Sequence, residues 1–554
     1  MIHHLEVQVL ILLLIASIVG MVARRLGVPY TLALVVAGLG LSFLHLHALD
    51  DLALTPDLLL LLFLPPLLFE AAYHLPFEDL RKNAVHITYL ALAGVMVAVG
   101  LTAVLSYAGI HLTGAAPGYG WSTAFLFAAV IAATDPISVL ALFKEMGAPK
   151  RLYQVVEGES LVNDGVAVVV FTIISAVLGL SSTQVGGGGE LESAREITTF
   201  AVITFLKTGV GGLLVGGACG ALASVLTRTV DDHLIEITLT TLVAWGSFLV
   251  AETLHVNGVL STVASGVLMG SFGKHYGMSA STRMAVQDFW EYMGFLSNSF
   301  IFLLIGIELE PTRLWLHLPI VLAGFVAVMV ARAALVYLGL PIADRFTKPL
   351  PAVWRHVLVW GGLRGSLSMV LVLGLPAEYE GRRLLIDLVF GVVSLSLFVQ
   401  GLTMAPLMRR LGVTTARGMV MSRDYEKARG RATAFRRVLN EANHLLEQGL
   451  LDDVAHRHFS AYYDAQRQLA REQAQILAGD TAQPEQLLEA ARTLGVIERE
   501  AIEAALHAGV ISEGAAADLQ SDLHRRLDSL DRAAHDGEEE LLRALDSAYP
   551  VPRR

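Results

Sequence analysis

Charged residues are scarce in this sequence. Asp, Glu, Lys and Arg make up 16% of the 554 residues and hydrophobic residues make up 54%, whereas soluble proteins carry about 25% charged residues. This scarcity excludes an ordinary soluble protein and predicts an all-α protein that crosses a membrane many times. The apolar sequence fills residues 1–410 and then stops, which predicts a membrane domain over 1–410 and a tail domain over 411–554. The net charge of −11 gives no sign of a nucleic-acid partner.

Other absences narrow the class further. The single cysteine, Cys219, excludes an internal disulfide framework. The N-terminal segment has neither a basic region nor a small-residue cleavage site, so we expect the first apolar stretch to be a membrane helix and not a removed signal. The tail contains no phosphate-binding loop, nucleotide fingerprint or metal-ligand spacing. These absences argue against a nucleotide-driven pump, and nothing in the sequence indicates an enzyme or a bound cofactor.

Breaks at proline, glycine and charge clusters divide the membrane domain into thirteen apolar segments, most of them long enough to span a bilayer. We predict these spans near residues 5–23, 30–47, 56–76, 84–111, 120–146, 152–180, 196–226, 233–254, 257–272, 286–308, 313–341, 354–376 and 383–408.

Lys and Arg are distributed unevenly over the loops. One alternating set of loops contains nearly all of them, and the other set carries only Arg195, Arg313, Arg382 and Arg383. Because basic loops stay in the cytoplasm, the N-terminus is predicted outside and the C-terminal tail inside. The predicted location is a cell (inner) membrane.

Two of the predicted spans are interrupted in the middle. Asp135-Pro136 breaks span 5 and Gly361-Gly362-Leu363-Arg364-Gly365 breaks span 12. They hold equivalent places if spans 1–6 and 8–13 are six-helix repeats joined by span 7, and an odd linker makes such repeats inverted. Paired discontinuous helices in two halves indicate a secondary transporter with its site at the midplane.

The polar residues of spans 5 and 6 are costly at membrane depth. A charge at the centre of a membrane helix costs about 2.5–3.5 kcal/mol on insertion scales, so such residues usually face a cavity. Pro136 frees the carbonyl of Ala132, and Thr134 and Asp135 add a hydroxyl and a carboxylate beside it. A plain proline kink would not explain the adjacent aspartate.

Span 6 supplies a second polar patch. Glu159 and Asn163 share one helical stripe, and Ser160 and Asp164 share the next. Carboxylate, hydroxyl and carbonyl oxygens suit hard cations. Structural hydrogen bonds between helices would explain Ser160 and Asn163 equally well, but they explain Asp164 poorly.

Two arginines also lie at membrane depth, Arg332 in span 11 and Arg364 in the break of span 12. Each needs a carboxylate or carbonyl partner. We favour a Glu159–Arg332 ion pair, with Glu159–Arg364 as the rival. Arg364 could instead offset the carbonyl ends of the broken helices.

These motifs resemble the cation/proton antiporter superfamily, in the monovalent branch that includes sodium/proton exchangers. The resemblance runs through nearly all of residues 1–410. It is carried by Leu64-Pro65-Pro66-Leu67-Leu68-Phe69-Glu70, Ala133-Thr134-Asp135-Pro136, Glu157-Gly158-Glu159-Ser160-Leu161-Val162-Asn163-Asp164-Gly165, Ala251-Glu252, Ala264-Ser265-Gly266-Val267, Phe302-Leu303-Leu304-Ile305-Gly306 and Gly361-Gly362-Leu363-Arg364-Gly365.

The resemblance implies a thirteen-helix inverted-repeat fold, a homodimer and elevator-like alternating access. It implies that Asp164 is the shared site of a monovalent cation and a proton, lined by Asp135, Thr134 and Ser160 and supported by Asn163. The Asn163-Asp164 form resembles the electroneutral type, which exchanges one cation for one proton. Na⁺ or Li⁺ is the expected cation, and a K⁺/H⁺ antiporter or, less favoured, a cation channel is the alternative.

The residues lead to the same chemistry without the resemblance. A carboxyl that holds either a proton or a cation, but not both, couples two opposed fluxes, and burial favours its protonated form near neutral pH. Glu70 and Glu252 fit either an attracting funnel or ordinary polar helix ends. The tail, with helices predicted near 422–447, 450–478, 484–507 and 512–546, is expected to form a cytoplasmic helical domain of regulatory or bracing function.

Overall fold

In the computed structural model, the chain divides into two compact units, Met1–Thr415 and Ala416–Arg554. The structure describes residues 2–26, 29–44, 58–114, 116–180, 194–229, 232–273, 278, 280–309, 311–413, 416–447, 451–478, 498, 502, 512–536, 543–544 and 547. Every regular element in these ranges is a helix, so the expected all-helical architecture is confirmed for the described part of the chain.

Helices occupy all thirteen segments that the sequence marks as spans. In the first unit they are α1 Ile2–Leu26, α2 Tyr30–Leu44, α3 Leu64–His74, α4 Phe77–Lys82, α5 Ala84–Thr113, α6 Trp121–Val130, α7 Ile137–Met146, α8 Lys150–Val177, α9 Ala194–Leu226, α10 His233–Thr253, α11 Gly258–Leu268, α12 Ala280–Glu308, α13 Pro311–Leu316, α14 Leu318–Ala343, α15 Ala352–Trp360, α16 Ser366–Leu373 and α17 Arg382–Arg410.

Seven of these helices are long and apolar enough to cross a membrane by length and composition. They are α5, α8, α9, α10, α14 and α17, together with Thr282–Glu308 of α12. Shorter apolar helices fill most of the other predicted spans. One prediction is wrong in detail: the segment 313–341 is not one helix, because a turn at His317 separates α13 from α14.

Two spans consist of paired half-helices, as the sequence predicts. The first half of span 5, α6, ends at Val130, and α7 begins only at Ile137. In span 12, α15 ends at Trp360 and α16 begins at Ser366. Non-helical backbone at this depth is tolerated only where protein or water covers it, and both breaks lie within the packed interior.

The glycines of α9 provide close helix packing. A Cβ added at Gly216 would lie 1.9 Å from the Ser261 carbonyl oxygen of α11, and one at Gly220 would lie 2.9 Å from the Ser265 Cα. Only glycine allows the two backbones to approach this closely. Gly212, Gly216 and Gly220 recur every four residues in α9, a spacing that is typical of close helix packing.

The helices of the first unit pack mainly within two groups. The first bundle consists of α1–α3 and α9–α12, and the second bundle consists of α5–α8 and α14–α17. The long helix α8 carries the predicted site residues and lies where the second bundle contacts α9 and α11 of the first.

The second unit contains the antiparallel neighbours α18 Ala416–Glu447 and α19 Asp453–Ala478, and α20 Glu513–Asp536. These helices match the tail predictions near 422–447, 450–478 and the first part of 512–546. The helix predicted over 484–507 lies almost entirely outside the described residues.

Candidate functional site

The break between α6 and α7 removes three backbone hydrogen bonds. In a continuous helix, the carbonyls of Ile131, Ala132 and Ala133 would accept from the N–H groups four residues later. The Asp135 N–H instead donates to the Leu363 carbonyl at 2.8 Å, residue 136 is a proline, and the residue 137 N–H donates to Asp135 Oδ1 at 3.0 Å. Three carbonyl oxygens therefore need other donors, because a buried unpaired carbonyl is costly.

Arg364 supplies those donors. Its Nη1 lies 2.5, 2.8 and 3.3 Å from the carbonyl oxygens of Ile131, Ala132 and Ala133. Only 5% of Arg364 is exposed. The guanidinium therefore neutralises the negative end of α6, which is the role that the sequence left as the alternative to pairing with Glu159.

Ser160 and Asn163 of α8 bind the same break. The Asn163 amide Nδ2 donates to the Ala132 carbonyl and to Thr134 Oγ1, each at 3.1 Å. The Ser160 hydroxyl donates to the Thr134 carbonyl and lies 3.4 Å from Thr134 Oγ1. The structure thus brings Ala132, Thr134, Ser160 and Asn163 into one cluster, in which at most 7% of each residue is exposed.

Both aspartates border this cluster. Asp164 accepts a hydrogen bond from the Thr134 backbone N–H and interacts electrostatically with Asp135. Within the described residues, one side-chain oxygen of each lacks a hydrogen-bond partner, and so does Asn163 Oδ1. Asp135 and Asp164 are half-buried as whole residues, but their unpartnered carboxylate oxygens are buried. Unpartnered buried oxygens of three side chains therefore belong to this one crossing.

Glu159 of α8 pairs with Arg332 of α14. Both guanidinium Nη atoms donate to the Glu159 carboxylate, one of them at 2.9 Å. Arg332 Nε and Nη2 also donate to the Leu358 carbonyl, at 3.2 and 3.1 Å. Arg332, the partner that the sequence favours for Glu159, is thus the one that contacts it. Arg332 also caps the broken end of α15.

Gly365 allows the two breaks to cross. An added Cβ at this residue would lie 2.1 Å from the Asp135 Cβ. Beside it, the Arg364 backbone N–H donates to Ser396 Oγ at 3.2 Å, and Gln400 Nε2 donates to the Trp360 carbonyl at 2.9 Å. Ser396 and Gln400 of α17 thus bind the backbone of the second break.

Sequence reasoning missed these α17 residues. The amide of Gln400 in a largely apolar segment was the available signal. Of the other acids, Glu70 interacts electrostatically with Glu157, Glu291 and Lys144, and Glu252 accepts from the backbone of residue 258.

This arrangement is chemically suited to a hard monovalent cation. Carboxylate, hydroxyl and amide oxygens can replace water around such an ion. Two nearby buried carboxylates repel when both are ionised, and a bound cation or proton relieves that repulsion. Arg364 and Arg332 are already held by carbonyls and by Glu159, so neither clamps the aspartates.

Two interrupted helices that cross over buried carboxylates, within an all-helical membrane unit, define the class of multi-pass secondary transporters. The family model described as "Sodium/hydrogen exchanger, transmembrane" matches residues 11–410. The chain belongs to this family, whose members are transporters and not enzymes.

Relatives with established names agree with this assignment. The Na⁺/H⁺ antiporter ApNhaP of Aphanothece halophytica is 38% identical over 420 residues, which cover 75% of each protein. The Na⁺/H⁺ antiporter NhaS2 of Synechocystis is 33% identical and covers 91% of this chain and 90% of the relative. The solved sodium proton antiporter MjNhaP1 of Methanocaldococcus jannaschii has a TM-score of 0.57 at 18% identity, with 74% of this chain and 99% of that chain covered. That structural match shows a shared fold.

Proposed function

We propose that the protein exchanges Na⁺ or Li⁺ for H⁺ across the membrane by alternating access. Asp164 carries either the cation or the proton. Asp135, Thr134 and Ser160 contribute cation ligands, while Asn163 and the Ala132 carbonyl fix their spacing. The unpartnered oxygens of Asp135, Asp164 and Asn163 are the observation that carries the proposal. Relatives named Na⁺/H⁺ antiporters at 33–38% identity support the choice of ions.

The charges at the crossing favour electroneutral exchange. Glu159 and Arg332 cancel each other in a direct ion pair. Arg364 formally balances Asp135, although its hydrogen bonds go to carbonyls. One negative charge, that of Asp164, is left over. A single Na⁺ or a single proton neutralises it, so that the loaded site has the same charge in both directions of the cycle.

The proposal includes the membrane architecture that the sequence suggests. Thirteen spans form two inverted six-helix repeats that place the interrupted helices at the midplane, and two copies of the chain form a homodimer. The N-terminus lies outside a cell membrane and the unit after residue 415 lies in the cytoplasm. The alternation of basic and non-basic loops supports this orientation.

The test is exchange in proteoliposomes. A pH gradient is imposed, a pH-sensitive dye reports its collapse, and Na⁺, Li⁺ or K⁺ is added in turn. We expect Na⁺ or Li⁺ to release the quenched dye in wild-type vesicles, and Asp164→Asn to abolish the signal because an amide cannot carry the exchanged proton. Proton-coupled Na⁺ or Li⁺ flux in the Asp164→Asn variant would refute the role.

A matched control variant carries the same Asp→Asn substitution away from the proposed site. Asp387→Asn makes the same substitution on α17. Asp387 lies nine residues before Ser396, which is about 13 Å along the helix axis. This variant should retain exchange. Both variants should elute as folded dimers. A response to K⁺ that exceeds the Na⁺ response would favour a K⁺/H⁺ antiporter. Currents far above about 10³ ions per second, the upper range of ordinary turnover numbers, would favour a channel.

A further inference from the structure

The N-terminus of α11 is wedged between α8 and α9. On α8, a Cβ added at Gly165 would lie 2.3 Å from Leu260 Cδ2. On α9, a Cβ added at Gly212 would lie 2.4 Å from the Asn257 carbonyl oxygen. Glycines on both neighbours therefore let this end of α11 approach closely. The contact on α8 is made by the residue directly after Asp164.

Asn257 is bonded to three helices at this point. Its Oδ1 accepts from the Leu260 N–H at 2.8 Å and caps α11. Its backbone N–H donates to the Thr208 carbonyl of α9 at 3.1 Å. Its Nδ2 donates to the Gly165 carbonyl of α8 at 3.0 Å. The last bond passes from the first bundle to the second, and Asn257 is only 5% exposed.

The capping function does not require asparagine. Serine and aspartate cap helices about as well, because the cap needs only an acceptor oxygen. The Gly165 carbonyl does not require Asn257 either, since it lies inside the continuous helix α8 and has an intrahelical donor four residues later. Neither the N-terminus of α11 nor the Gly165 carbonyl of α8 therefore requires the Nδ2 donor. What it adds is a fixed position of α8 against the first bundle.

We propose that Asn257 is a positioning residue for ion exchange: its bond to the Gly165 carbonyl holds α8, and with it Asp164, at one height relative to the first bundle. The inference rests on the proposed function, because it assumes that the second bundle moves Asp164 during the cycle. Loss of the bond shifts the balance between the two access states roughly two- to tenfold, which is the contribution of an ordinary neutral hydrogen bond.

The first test separates the cap from the cross-bundle bond. Asn257→Ser keeps a capping oxygen and removes the Nδ2 donor. Asp232→Ala, at the N-cap of α10, removes a cap without this bond to α8. The KM for Na⁺ is measured from each face of the membrane, because the apparent affinity on one face scales with the population of the state open to it.

We expect the ratio of the two KM values to change two- to tenfold in Asn257→Ser and to stay at the wild-type value in Asp232→Ala. A merely structural role would lower the amount of active protein without moving that ratio. Normal wild-type exchange with an unchanged ratio in Asn257→Ser overturns the positioning role. Absence of exchange in wild-type vesicles instead refutes the proposed function.

A second measurement is independent of transport. Thr31 of α2 and Ser138 of α7 share a hydrogen bond between their hydroxyls across the same two bundles. In a Cys219→Ala background, Thr31→Cys and Ser138→Cys should form a disulfide on oxidation. Adding Asn257→Ser should slow this cross-linking at least twofold, because the bundles are no longer held in register. An unchanged rate would count against the inference even if exchange were lost.

Discussion

Replacement of Arg364 by methionine tests whether one guanidinium holds the first break together. The variant leaves the Ile131 and Ala133 carbonyls without their donor, whereas Ala132 keeps the Asn163 amide. Each buried acceptor left unpaired costs about 1–3 kcal/mol, so the two together cost roughly 2–6 kcal/mol.

Removal of the buried guanidinium offsets part of this cost. Burial of an ionised guanidinium costs several kcal/mol, and methionine does not incur that cost. We therefore expect the lower end of the range, a loss of roughly 2–3 kcal/mol in the free energy of unfolding. Arg364→Lys should lower the free energy of unfolding by less, because an ammonium retains the charge and can still donate to some of the three carbonyl oxygens.

The assay is denaturant-induced unfolding in mixed micelles, followed by tryptophan fluorescence. Arg345→Met serves as the matched control, because Arg345 is exposed and surface substitutions usually stay within about 0.5 kcal/mol. An Arg364→Met variant as stable as that control would refute the reasoning, since the Ile131 and Ala133 carbonyls would then have to find donors that the structure does not show.

Two further substitutions test other contacts. Gly365→Ala should cost about 1–3 kcal/mol in unfolding experiments and reduce exchange, because the new Cβ would lie 2.1 Å from the Asp135 Cβ; Gly401→Ala, where no atom lies within 4 Å of the new Cβ, should be neutral. Burial alone would raise the pKa of Asp344, but hydrogen bonds, above all from His86 at 2.8 Å, hold that pKa below its ordinary value. Asp344→Asn should therefore lower the free energy of unfolding at pH 7, and the deficit should fade as the pH falls below about 4, through the lowered pKa of the native state. An equal deficit at pH 3 and pH 7 would contradict this account.

The helices of the membrane unit are largely predictable because their determinants are local. The length of an apolar stretch and the proline or glycine that ends it can be read within one segment. The prediction near 84–111 accordingly agrees with α5 at Ala84–Thr113 within two residues. The turn at His317 was not predicted, because no glycine interrupts the apolar sequence there and Pro319 is compatible with the first turn of a helix.

The partners of the buried charges are less predictable because they depend on how distant segments meet. Glu159 and Arg332 are 173 residues apart, and charge balance could only reduce the choice to two arginines. That the Asp135 N–H would donate to Leu363 could not be derived, since it requires the exact crossing of two irregular segments. The bond from Asn257 to α8 was missed for the same reason.

The same break creates both the oxygens of the proposed ion site and the need to stabilise the backbone around them. Pro136 removes one backbone donor, and the Asp135 side chain occupies the next N–H with one of its two oxygens. The carbonyls that lose their donors are then satisfied by Arg364 Nη1 and Asn163 Nδ2, so these two donor groups are engaged by the backbone. Groups that could have bound the aspartates permanently are thereby engaged elsewhere. A carboxylate can alternate between a proton and a cation only if no fixed donor competes for it, so the satisfaction of the backbone is itself a condition for the exchange that we propose at Asp164.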